Sequence, residues 1–301
     1  PAPRPRARAL ARARGGMAAR LTLRVAAAAW LCSGGALGGK DAPSILVVGS
    51  VNMDVIIPLD RLPRAGESIL AGAPDAGQTV PGGKGGNQAV AAARLCGRPT
   101  ACRAEFAGRF GGDAHGQALE QVLVDSGVDI SLSGRTEQPS GQGLVFLLGD
   151  GTLSSVVVAG ANAAWPADLS FLRSRAASAQ AVLLQREVPE RVNIAVAEAA
   201  AAANVTVFQD VGGEDRPISD GLLKQLSYIS PNLPELERLT GLPTDSDAAV
   251  VTAVRVLQAR GASNVLVTLG ARGSLLVERG GQLWRQPACS VPGGRVVDET
   301  G

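Results

Sequence analysis

From Ser44 onward the chain alternates between two hydrophobic periods. "SILVVGS" at 44–50 is an unbroken apolar run closed by glycine, the pattern of a strand buried on both faces. "NQAVAAARLCG" repeats its apolar positions with helical spacing and predicts a helix closed by Gly97, and "AHGQALEQVLVDSG" predicts another closed by Gly127. The alternation continues with "AVLLQREV" before "PERVNIAVAEAAAAAN", and "VTVFQD" before "DGLLKQLS". It resumes with "YISPN" before "LPELERLTG", and the helix "DAAVVTAVRVLQARG" before the strand "NVLVTLG". Strand–helix alternation on this scale predicts an α/β domain with a mostly parallel sheet and helices on both faces.

Two stretches break the rhythm. Residues 51–81 and 134–161 lack helical periodicity and contain strand-like segments, among them "GLVFLLGD" and "LSSVVVAG". Gly149-Asp150-Gly151 between those segments predicts a hairpin. Ligands of open α/β sheets sit at the carboxyl ends of the strands. Two β insertions meeting over that edge would form a small lid.

Charge divides the chain. Residues 1–40 contain Arg4, Arg6, Arg8, Arg12, Arg14, Arg20, Arg24 and Lys40 and no acid; removing these eight from the net charge of +2 leaves −6 for residues 41–301. The acidic remainder argues against a nucleic-acid-binding body. The apolar run Val25–Cys32 is far shorter than the roughly 20 residues of a membrane span, so no membrane partner is expected. Arg-rich, acid-free composition over residues 1–43 suits an organelle transit peptide, plastid first and mitochondrion second, with a secretory signal or a disordered upstream stretch as alternatives. A cytoplasmic location without import stays open. The domain is expected to run from 44 to 301.

Cysteine and histidine narrow the chemistry. Cys32 lies in the leader, leaving Cys96, Cys102 and Cys289, an odd number without metal-ligand spacing, and buried or free thiols are expected. His115 is the only histidine, which argues against a Ser-His-Asp triad and a histidine metal site.

The densest signal is "GGKGGN" at 82–87. It is not a Walker A loop, because Gln78 holds the first glycine position and Gly85 follows the lysine. Nor is it a dinucleotide fingerprint, since "VVGSVNMD" offers only Gly49 directly after the first strand. What remains is bare backbone close to a small polar ligand, with Lys84 and Asn87 as hydrogen-bonding side chains; a glycine-rich turn with a solvated lysine is the plainer alternative. Asn52 and Asp54 read as the end of the first strand.

"GSVNMD" at 49–54, "PGGKGGNQAVAAARL" at 81–95, "SPNLPELERLTG" at 230–241 and "TLGARGSLL" at 268–276 together resemble the ribokinases, within the phosphofructokinase-B-type sugar kinases. The resemblance implies a three-layer α/β/α core with a small β-sheet lid. It implies a sugar site at Asn52, Met53, Asp54, Gly83, Lys84, Gly85, Gly86, Asn87 and Glu187, with the glycines letting the backbone reach the sugar. An ATP site is implied at Asn232, Thr268, Leu269, Gly270, Ala271, Arg272 and Gly273. Glu235 would serve Mg²⁺ through water, and Asp298 and Thr300 a monovalent cation, K⁺. Asn232 is also a plausible N-cap for the following helix, with Pro234 in its first turn, a reading that leaves Glu235 unexplained.

The likeness has departures. Pro81 stands where the family usually has phenylalanine, Gly86 where it has alanine, and "FQDVGGEDRP" follows a plant-like pattern. The family motif runs on as T-G-A-G-D, so the resemblance places the general base and the rest of the anion hole beyond Gly301, and a chain ending there is expected to be inactive alone. The implied activity is ATP-dependent phosphorylation of D-ribose at O5, with D-ribose and ATP as partners and a homodimer formed through the lid. The alternatives are a kinase for deoxyribose or another small sugar or nucleoside, and a non-catalytic sugar-binding protein.

Overall fold

The computed structural model describes residues 43–72, 76–97, 102–149 and 153–289. The leader, Asp298, Thr300 and the hairpin turn at Asp150 and Gly151 lie outside the described residues.

The buried run Ser44–Val48 forms β1, and three residues later Asn52–Leu59 forms β2, which pairs antiparallel with β3 (Gln78–Gly82). Helix α1 (Lys84–Cys96) follows without a loop. It starts three residues ahead of the "NQAVAAARLCG" pattern, so Lys84, Gly85 and Gly86 make its first turn. Next come β4 (Arg103–Ala107), β5 (Arg109–Gly111) and α2 (Ala114–Asp125). The strands β6 (Gly134–Thr136), β7 (Gly141–Leu148) and β8 (Leu153–Val158) precede α3 (Ser170–Ser178). Then β9 (Ala181–Arg186), α4 (Glu190–Ala202), β10 (Thr206–Gly213) and a four-residue α5 (Asp220–Leu223) alternate. The remainder is β11 (Tyr228–Ser230), α6 (Leu233–Thr240), α7 (Asp247–Arg260), β12 (Asn264–Thr268), β13 (Ser274–Val277) and β14 (Leu283–Gln286).

The central sheet has the order β14-β13-β12-β11-β10-β9-β1-β4. It is parallel from β4 to β12 and antiparallel at β12–β13 and β13–β14. Strand alternation divides its core into two layers. Leu46, Val48, Val182 and Leu184 face Leu172 of α3, Val196 of α4, Leu236 of α6 and Val254 of α7. Val47, Leu183, Phe106 and Phe208 face Ala89 and Ala92 of α1 and Leu119 and Leu123 of α2. The result is the α/β/α sandwich that the alternation and the resemblance imply.

The two interruptions meet as a four-stranded sheet of order β3-β2-β7-β8, with β2 and β7 parallel and the hairpin β7–β8 antiparallel. It rises from the carboxyl end of β1, because only Gly49, Ser50 and Val51 separate β1 from β2.

Two expectations change. Asn52 and Asp54 do not end β1; they open β2, on the lid. Cys96 and Cys102 are joined as a disulfide with a Cα–Cα distance of 5.2 Å, while Cys289 is free and exposed. The crossover explains the pairing, since the last residue of α1 must return beside the start of β4.

Candidate active site

Two of the glycines of "GGKGGN", Gly83 and Gly85, are demanded by this chain's own backbone. Gly83, the N-cap of α1, has φ +84°, and a Cβ there would collide with Val51 and the Asn52 nitrogen. A Cβ on Gly85 would strike the Ser50 backbone. Helix α1 can therefore press its first turn into the β1–β2 connection. Its unpaired N–H groups find partners there: Gly86 N donates to Ser50 O at 2.8 Å, and Lys84 N to Glu187 Oε2 at 3.0 Å. Ser50 Oγ donates to the same Glu187 oxygen at 2.5 Å. Glu187, directly after β9, thus ties the carboxyl ends of β1 and β9 to the start of α1. This is the point where strand order reverses around β1, the usual place for a ligand crevice.

Asn52 and Asp54, two residues apart on β2, share one face of the lid. The space around them is cleared by glycines: Cβ atoms on Gly82 and Gly143 would strike the Asp54 carboxylate, and one on Gly141 would strike Asn52 Oδ1. Met53 points the other way, buried with Val47, Val51 and Phe106. The Met53 side chain therefore packs in the core, and Gly85 and Gly86 lie buried in the first turn of α1. Asn87 is exposed on the first turns of α1, its N–H donating to Gly83 O.

Lys84 Nζ lies over Gly212, where a Cβ would collide with both it and Asp210 Oδ1. Burial pulls its pKa down, but the negative charges of Asp210, Glu187 and Glu235 outweigh this and raise it above the usual lysine value. It is a firm cation. Glu235 is displaced upward, chiefly by burial, with Asp210 adding to the rise while the Asn232 N–H and the charges of Lys84 and Arg238 oppose it.

Asn232 and Glu235 form a full capping box at the start of α6: Glu235 N donates to Asn232 Oδ1 at 2.8 Å, and Asn232 N to Glu235 Oε2 at 2.8 Å. Capping therefore accounts for Glu235 as well as Asn232, contrary to the expectation. Beside this cap, Thr268 N donates to Pro231 O at 3.0 Å, and Asn232 bridges Thr268, bringing the ends of β11 and β12 together. Leu269 is buried, whereas Gly270, Ala271 and Arg272 form an exposed 3₁₀ turn closed by Gly273. Arg272 is held by Asp247 at 3.0 Å. A cleft lined by Gly112, Asp113 and residues 135–139 contains none of the candidate residues.

The sequence-predicted residues thus fall along one edge of the sheet, sugar candidates at β1, β9 and the lid, nucleotide candidates at β11 and β12. Asp210 on β10 sits between them and was missed. Its position at the end of "VTVFQD" was the available signal, since strand carboxyl ends line the crevice. Among the described residues no group of three or more His, Cys, Asp or Glu could hold a metal by itself. Asp210 lies near enough to Glu235 to add to its upward displacement, and two neighbouring carboxylates are a donor set that suits a hydrated Mg²⁺ with few protein ligands.

Residues 42–301 match the pfkB family of carbohydrate kinases, and the chain belongs to that family. It is 42% identical over 269 residues to the ribokinase of Arabidopsis thaliana, spanning 86% of this chain and 67% of that protein. A structure of Arabidopsis thaliana ribokinase complexed with ribose and ATP aligns with a TM-score of 0.76 and 40% identity, over 87% of this chain and 82% of that one. The deoxyribokinase of Salmonella typhi is 28% identical over 237 residues, 78% of this chain and 75% of that protein.

Proposed function

We propose that this chain carries out ATP-dependent phosphorylation of D-ribose at O5, giving D-ribose 5-phosphate. The observation that carries the reading is the position of Lys84, whose Nζ lies over Gly212 beside Asp210. Burial lowers its pKa, but Asp210 first, then Glu187 on the sugar side and Glu235 on the nucleotide side raise it on balance. A half-buried cation placed there can offset charge on a transferring phosphoryl group without reorganising, which is the main task of a phosphoryl-transfer site.

Each residue then has a role. Asp54 accepts sugar hydroxyls, and Asn52 supplies an amide. Glu187, fixed by Ser50 and Lys84 N, keeps one oxygen for the sugar. Thr268 and the turn from Gly270 to Gly273 receive the nucleotide beside Asn232. The residues Glu235 and Asp210 would hold Mg²⁺ through water, and the ion, when bound, supplies charge neutralisation of the ATP phosphates. Asp298 and Thr300 are assigned to K⁺. The lid, rooted on the residues that grip the sugar, closes with it and excludes water. Its exposed β8 is the surface assigned to a homodimer.

The deciding experiment is ADP release by the full-length protein with ribose and with 2-deoxyribose, the product identified by phosphorus NMR. We expect ribose to be preferred, because a missing hydroxyl leaves a polar partner unpaired. Preference for 2-deoxyribose would move the assignment to a deoxyribokinase. No sugar-dependent ADP release would leave only sugar binding.

A further inference from the structure

Asn162 lies on the 3₁₀ turn Gly160–Ala163 just after the lid hairpin, and its side chain is buried beneath the root of β2. It contacts three atoms. Val51 N donates to Asn162 Oδ1 at 2.9 Å; Asn162 Nδ2 donates to Val51 O at 3.1 Å and to Asn52 Oδ1 at 2.7 Å. The first two contacts fix which end of the amide is which, because a backbone N–H can only donate and a backbone C=O can only accept. The group that Asn162 turns toward Asn52 is therefore NH₂, and the atom it meets must be the Asn52 carbonyl oxygen.

The consequence falls on the sugar face of the lid. With Oδ1 held by Asn162, Asn52 directs its own NH₂ away from that bond. Asn52 is 2% exposed, and among the described residues no acceptor takes its Nδ2. That nitrogen is not one of the fully enclosed polar atoms lacking a partner, which among the described residues are Gln185 Oε1 and Asn193 Oδ1, so it keeps some exposure through which a ligand oxygen can accept from it. Gly141 keeps the bond possible, since a Cβ there would wedge between Asn162 Nδ2 and Asn52 Oδ1.

We propose that Asn162 is a positioning residue that sets the direction of the Asn52 amide, so that the pocket offers a donor at Asn52 and an acceptor at Asp54. The proposal rests on the sugar-site reading above. It replaces an amide able to present either end with one committed to donating to a sugar oxygen.

The test is calorimetric titration of ribose, and separately of ATP, into the full-length protein and the variants Asn52→Ala, Asn52→Asp, Asn162→Asp and the double variant Asn52→Ala/Asn162→Asp. An aspartate at 162 cannot donate, so Asn52 turns its NH₂ inward. Asn162→Asp should weaken ribose binding by about 10-fold or more, the loss expected of one buried hydrogen bond, with ATP affinity kept within about 2-fold. In the Asn52→Ala background the same change should add less than about 2-fold, because its effect passes through Asn52. Asn52→Asp keeps the bond from Asn162 but presents an acceptor, and should lose ribose affinity similarly; it also decides the matter if Asn162→Asp does not fold. Unchanged ribose affinity in Asn162→Asp or in Asn52→Asp would overturn the proposal. So would full additivity in the double variant, or a parallel fall in ATP affinity, either of which marks a merely structural role. If Asn52→Ala itself leaves ribose binding intact, the sugar-site reading has failed instead.

Discussion

Lys84 is the residue on which the electrostatics of the crevice turn. Its raised pKa keeps it charged throughout the neutral range, so any stability it supplies is lost only as pH rises through a value above that of an ordinary lysine. Lys84→Met would remove the cation that opposes the upward displacement of Glu235. The folded state, which already binds a proton on Glu235 more readily than the unfolded state, would do so more strongly still, and stability would fall further as pH rises through that folded value. We therefore expect the variant to melt below the wild type by more at pH 8 than at pH 5, and to bind ribose roughly 10-fold less tightly, as for loss of a charge-assisted hydrogen bond. A melting difference independent of pH would show that Lys84 does not govern these carboxylates. Asn52, Asp54, Lys84 and Glu187 were legible in the sequence because a motif or a strand end marks each one. Asn162 was not, because its partners lie 110 and 111 positions away and only the packing of the lid on the core brings them together.

At the scale of elements, α6 joins stability to function at one terminus. Its capping box uses Glu235 Oε2, an acceptor that glutamine can replace, whereas the carboxylate charge facing Lys84 and Asp210 cannot be replaced. Glu235→Gln should leave the midpoint of denaturant unfolding nearly unchanged while lowering turnover by at least ~10-fold, the lower range for loss of a positioned electrostatic group. Asn232→Ala should cost about 1 kcal/mol of stability for the lost cap. Equal destabilisation by both would mean that Glu235 serves the helix alone. The strongly periodic elements were readable, and those that were not have physical reasons. In β4 the buried Glu105 looks like a surface residue until Arg175 is found paired with it at 2.6 Å. Helix α3 buries only Leu172 and Ala176, too few positions to set a period. "DGLLKQLS" yields only the four residues of α5, whose N-cap Ser219 is in place but whose turn ends at Lys224.

For the whole molecule, the layered core followed from alternation, but the lid's outward face did not, because period-two patterning cannot say what covers a two-sided sheet. Val156, Val157 and Val158 of β8 are each about half exposed, on a strand whose outer edge is unpaired among the described residues. Consecutive exposed valines on an open edge are an association surface or an aggregation hazard, and the proposed homodimer would cover them. The register separates this question from catalysis. Val157 pairs with Gly143, which sits against the Asp54 carboxylate, so Val157 shares the sugar face. Val156 pairs with Leu144 and lies on the opposite face. Val156→Lys should therefore disrupt association without entering the site. In sedimentation the wild-type protein should run at twice its chain mass and the variant at its chain mass. Ribose affinity should fall in proportion to the monomer fraction if the partner steadies the lid from which Asn52 and Asp54 project, and should stay constant if it does not. A wild-type protein that sediments as a monomer at all concentrations would sink the dimer assignment, and the three valines would then need another partner.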